Sequence, residues 1–176
     1  MAAMTDRWFG IGAAIVCAAC APTLDWRDTR PSGSAVEALF PCKPASHARR
    51  LELAGASVEM TLYACEAGGA TYALAFTDLK DPTRVTMALE ALAHAAQANV
   101  GASAPRMTAP AQVPGMTPNA QALRAQIDGR APDGRPVTQH VVWFAYGTQA
   151  MQATVLAERP DGAAVATFFD ALRIRP

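Results

Sequence analysis

The chain has 176 residues, 51% of them apolar and 17% charged, with 15 basic side chains against 15 acidic ones. That length suits one domain, and the apolar share supports a core and excludes wholesale disorder. The balanced, interspersed charge excludes the basic stripe of a nucleic-acid binder and the acidic run of a solvating tail.

Residues 1–19 read MAAMTDRWFGIGAAIVCAA. Arg7 supplies a short positive region, partly offset by Asp6, and no residue from Trp8 to Ala19 is charged. That stretch fits the ~7–15 residues of a signal-peptide core. It is shorter than the roughly 17–25 residues of a spanning helix. It has no polar face to present to water, so it does not read as a helix packed on a domain. A secretory signal over 1–19 is expected, with an uncleaved anchor as the alternative.

The run Cys17-Ala18-Ala19-Cys20 resembles the lipobox of bacterial lipoproteins, with Cys17 at the place where leucine is usual. The resemblance implies that the Cys20 thiol carries a diacylglycerol and its amine a further acyl chain such as palmitate. Several chains anchor stably where one is marginal. Ala21 in place of aspartate implies sorting to the outer membrane. The rival is an ordinary cut after Ala21, within Ala19-Cys20-Ala21, giving a soluble periplasmic protein. Either cut leaves Cys42 and Cys65, an even pair in an oxidising compartment. Neither their spacing nor the nearby histidines suggest zinc.

Residues 20–38 are rich in Pro, Ser and Gly without periodicity and read as a tether, with Trp26 able to dock. The folded domain is expected over 39–176. Residues 48–54, 57–65 and 70–78 read as strands. Leu51 and Leu53 alternate, then Val58, Met60 and Leu62, about a turn containing Gly55, and Gly68-Gly69 makes the next turn. This hairpin brings Cys42 within a few residues of Cys65, so a disulfide is expected. Asp81 as cap, Pro82 in the first turn, the stripe Val85, Leu89, Leu92 and Ala96, and Gly101 at the end define a helix. Residues 102–120 read as a long connection in which Met107 and Met116 are adaptable contact points.

Leu123, Ala125 and Ile127 then alternate with polar residues. A turn at 132–134 leads into PVTQHVVWFAYG, apolar on both faces and therefore a central strand. QAMQATVLA is the next strand, and Asp161 caps a helix with Val165, Phe168, Phe169 and Leu172 inward. The order β-β-β-α-β-β-β-α predicts an α+β fold: an antiparallel sheet of about six strands covered by two helices.

The Phe40-Pro41-Cys42-Lys43-Pro44 entry, the mid-chain helix, the PDG hairpin and the closing run from Phe168 to Ile174 resemble the Mog1/PsbP-like α/β group. That resemblance implies accessory or assembly roles without catalysis, and it does not choose among them.

Residues at catalytic or ligand-binding spacing are sparse. His94 should lie on the exposed side of its helix, His47 in a loop beside Arg49 and Arg50, and His140 in a strand near Trp143; none has a partner at metal-ligand spacing. No nucleophile elbow or phosphate loop occurs. Glu52, Glu59, Glu66 and Asp128 alternate with apolar residues, as solvated strand faces do. Lys43, Arg49 and Arg50 make a small basic spot. Trp143, Phe144 and Tyr146 read as core.

The sequence therefore predicts a non-enzymatic envelope lipoprotein of a Gram-negative bacterium. It would be anchored at Cys20 in the outer membrane facing the periplasm, serve as an accessory or protein-binding module, and use no cofactor, metal or nucleic acid. The alternatives are a soluble periplasmic domain binding a small or lipidic ligand, and an enzyme of unrecognised type.

Overall fold

A computed structural model describes residues 23–176; the expected signal, Cys17 and Cys20 lie outside the described residues. In chain order the elements are β1 (Arg27–Thr29), β2 (Val36–Phe40), β3 (Ala45–Leu53), β4 (Ala56–Ala67), β5 (Ala70–Asp78), α1 (Val85–Asn99), β6 (Met107–Pro110), β7 (Leu123–Arg130), β8 (Pro136–Tyr146), β9 (Gln149–Ala157), α2 (Gly162–Asp170) and β10 (Arg173–Ile174). The fold is α+β. A seven-stranded antiparallel sheet runs β3-β4-β5-β9-β8-β7-β6, and a small antiparallel sheet runs β1-β2-β10.

Period-two alternation sorts the large sheet into two buried faces. On one face Tyr72, Leu74 and Phe76 of β5, Val142 and Phe144 of β8, and Met151, Ala153 and Val155 of β9 meet Val165, Phe168 and Phe169 of α2. Val36, Ala38 and Phe40 of the small sheet complete this layer. Phe168 is fully buried at its centre, with its ring 5.3 Å from Phe40 and 5.4 Å from Tyr72, both edge-on. On the other face Val141, Trp143 and Ala145 of β8, with Ala125 and Ile127 of β7, lie under Val85, Ala88, Leu89 and Ala96 of α1. β8 is thus apolar on both sides because each side has its own helix. The layers run α1, large sheet, then α2 with the small sheet.

The helix ends follow local chemistry. The Asp81 carboxylate accepts from the Thr83 amide at 2.9 Å and caps a 3-10 turn, Pro82–Arg84, that feeds α1. Gly101, at φ +62°, follows α1 and donates to Ala98 O. Asp161 accepts from the amides of Ala163 and Ala164 to start α2.

Three expectations are corrected. Residues 20–38 are not a tether throughout, because β1 occupies Arg27–Thr29 and β2 begins at Val36. β2 is short and buried over nearly its whole length, so it shows no alternation to read. The 102–120 connection holds a seventh strand for the large sheet, β6, paired with β7. Beyond β6, Ala111 and Val113 enter the α2-side core and Met116 packs against it, while Met107 is exposed. His47 lies within β3, opposite Leu62, not in a loop.

Candidate functional site

Cys42 and Cys65 stand at disulfide distance, Sγ to Sγ 2.07 Å and Cα to Cα 6.0 Å. Cys65 is in β4 and Cys42 follows β2, so the pair ties the small sheet to the large one. The β3–β4 register, with Ala45 opposite Ala64, brings the two residues together as the hairpin expectation required.

The histidines do not converge. His47 and His94 are exposed on β3 and α1. His140 is half-buried on β8 and, three residues from Trp143, points to the opposite face of the sheet. Burial, with the nearby Arg124 cation adding to it, lowers the His140 pKa and favours the neutral ring. Glu52, Glu59, Glu66 and Asp128 are all exposed. Arg49 and Arg50 do not form one basic spot, because adjacent strand residues project to opposite faces; Arg49 pairs across with Met60 and Arg50 with Glu59. Trp143 and Phe144 are buried, and the indole Nε1–H of Trp143 donates to Gln152 Oε1 at 2.9 Å.

One corner of the molecule is open. α1 starts beside the β3–β4 turn, where Arg84 donates to Gly55 O at 3.4 Å, packs on β9 and β8, and ends against β7, where Val100 O accepts from the Arg130 amide at 2.8 Å. This diagonal leaves the other end of β3, β4 and β5 uncovered on the α1 side. His47 and Leu62 are exposed there, and Ala64 and Ala73 are half-buried. β3 is the sheet edge, and its residues 45–50 are exposed on both faces. An edge strand offers unpaired backbone donors and acceptors to a further chain, and Arg49 and Arg50 are charges of the kind that guard such edges.

The same corner carries a cleft of about 780 Å³ at the β4–β5 turn. Thr71, Leu156 and Val137 form part of its wall, and Glu66, Arg135, Glu158 and Arg159 stand around it. Arg135 bridges Asp133, at 2.7 Å, and Glu158. The bond from Arg135 holds the Asp133 carboxyl below its usual range. The cleft is mixed in polarity and open, suited to a polar group with a short apolar stem rather than to a buried hydrophobe.

Among the described residues, the most buried charged group lies elsewhere. The side chain of Glu37 on β2 is 7% exposed and receives Arg173 of β10, Arg30 at 3.0 Å and Arg175 at 3.5 Å. The hydrogen bond from Arg173, with further help from the other two cations, lowers the Glu37 pKa against the opposing effect of desolvation. This cluster pins the C-terminal strand to β2. Sequence reading missed it because its members are 136 residues apart in the case of Arg173 and Glu37. Its only trace in the sequence is one glutamate inside the apolar run of β2.

No family model, curated protein or solved structure matches the chain.

Proposed function

We propose that the protein is a bacterial envelope lipoprotein, anchored at Cys20, whose single α+β domain is a non-catalytic accessory or protein-binding module on the periplasmic side of the outer membrane. The observation that carries the reading is the Cys42–Cys65 pair at disulfide distance, in a chain whose first residues have the character of an export signal ending in a cysteine. The exposed β3 edge supports the protein-binding part, since strand addition needs such an edge. The likeness to the Mog1/PsbP-like group enters as a proposed kinship of architecture only.

The test is the intact mass of the protein from isolated membranes, wild type beside Cys20→Ala. The expected mass is that of residues 20–176 plus acyl chains, with the variant unacylated and released from the membrane. An unacylated wild-type mass beginning at Pro22 would overturn the lipoprotein reading. A soluble periplasmic domain binding a small ligand would then lead, and the cleft of about 780 Å³ is the observation that favours it.

A further inference from the structure

The segment from Thr23 lies at the β4–β5 turn end of the large sheet, on the α2 side. Thr23 and Leu24 lie against the β4–β5 turn. A Cβ placed on Gly68, whose φ is +58°, would stand 3.2 Å from Leu24 Cδ2 and 3.9 Å from Thr23 Cγ2. Asp25 N–H donates to Pro41 O at 2.8 Å. Leu24 and Trp26 pack on the α2-side core, with the Trp26 ring edge-on to Tyr72 at 6.3 Å. From Leu24 onward the chain is therefore part of the domain and not a leash.

Only Ala21 and Pro22 separate Cys20 from Thr23. Three residues of chain span at most about 11 Å even when fully extended. A flexible leash of the length first expected, through residue 38, would leave the domain free to tumble above a bilayer. A leash this short, leading into a packed segment, does not.

We propose that the end of the domain bearing the β4–β5 turn is its membrane-facing surface, resting on the phospholipid headgroups. This deepens the lipoprotein reading and depends on the anchor at Cys20. The register defines what else belongs to that end. β4 and β9 finish there, since Ala67 pairs with Ala70 and Ala70 with Ala157, and β8 starts there, since Thr138 pairs with Ala157. The 131–135 turn and the Glu158–Arg159 segment therefore face the bilayer together with Gly68 and Gly69. Glu66, Arg135, Glu158 and Arg159 put both signs of charge at this surface. Such a mixture suits a zwitterionic headgroup layer, and the covalent anchor rather than net charge supplies the hold.

The opposite end carries the 31–34 turn, which Gln149 holds through Gly33 O at 2.8 Å. Gln149 pairs with Asp78 at the far end of β5. At ~3.4 Å per residue, β5 places that end about 27 Å from the β4–β5 turn. β3 then stands upright, Ala45 nearest the bilayer and Leu53 farthest, so its free edge is presented sideways along the membrane.

The experiment uses the acylated protein, its acyl mass verified, in phosphatidylethanolamine–phosphatidylglycerol vesicles with a quencher on the headgroups. A fluorophore is placed in turn at Arg159→Cys and at Ser32→Cys, both exposed positions. The expected result is quenching several-fold stronger at 159 than at 32. That difference should vanish when a flexible Gly/Ser segment of about 20 residues is inserted between Ala21 and Pro22. Equal quenching at both positions, or stronger quenching at 32, in protein carrying its acyl chains overturns the orientation and leaves the lipoprotein reading standing. A protein without acyl chains overturns both.

Discussion

Replacing Gly129 by alanine adds one methyl group at the tightest glycine site among the described residues and should cost stability. Gly129 sits in β7 beneath the end of α1, and its φ is not in the left-handed region. A Cβ there would stand 2.2 Å from Val100 O and 2.7 Å from Val100 Cβ. Ordinary contact needs about 3.5 Å, so the end of α1 must retreat by more than about 1 Å. Overpacking of this kind costs about 1–3 kcal/mol. The retreat also strains the 2.8 Å bond from the Arg130 amide to Val100 O, worth about 0.5–1.5 kcal/mol. Alanine returns about 0.4–1 kcal/mol by restricting the unfolded chain. The net expectation is a loss of about 1–3 kcal/mol. With a urea slope of about 2 kcal/mol/M the midpoint should fall by about 1 M. Gly162→Ala is the matched control. Its Cβ meets nothing within 4 Å and it lies in the first turn of α2, so it should be neutral or slightly stabilising. If the two variants unfold at the same urea concentration, the close approach of Val100 to β7 is wrong.

Three further expectations can be checked on the same protein. Replacing Cys42 and Cys65 together by serine removes a cross-link between residues 23 apart, which should cost about 3 kcal/mol in the chain-entropy model; an unchanged thermal midpoint would mean that the bond does not form. The Glu37 pKa is lowered on folding, so its ion pairs stabilise above the unfolded carboxylate pKa and that contribution is lost as pH falls through the folded one. The urea midpoints of wild type and Glu37→Gln should therefore converge as pH is lowered below the carboxylate range, and a gap independent of pH would refute the cluster. A photo-crosslinker at His47 on the β3 edge should capture a discrete envelope protein in cells, while one at Met87 on the exposed side of α1 should not; identical products from both sites would remove β3 from consideration as the binding edge.

Much of the architecture was legible in the sequence because its signals are local. The alternation of Tyr72, Leu74 and Phe76 marked a half-buried strand, and the two-sided apolar run around Trp143 marked a strand with a layer on each face. Asp81 and Asp161 marked the helix starts, where a short carboxylate satisfies free amides. Gly68-Gly69 and Gly55 marked the turns, where the backbone needs positive φ. The Cys42–Cys65 pairing also followed from a local rule, since a hairpin folds its flanks together.

Tertiary structure alone decided the rest. β1 and β2 are short, and β2 is buried over nearly all its length, so no periodicity distinguishes them from linker. They are strands because β10, from the far end of the chain, pairs beside β2 and Arg173 reaches Glu37. β6 is a strand only because the edge of β7 is there to pair with it. Leu24 packs against the β4–β5 turn on the α2-side core, and the open corner and the cleft depend on the angle at which α1 crosses the sheet. That angle is set by which side chains interlock between distant segments, including the approach of Val100 to Gly129, and no short window of sequence contains both partners.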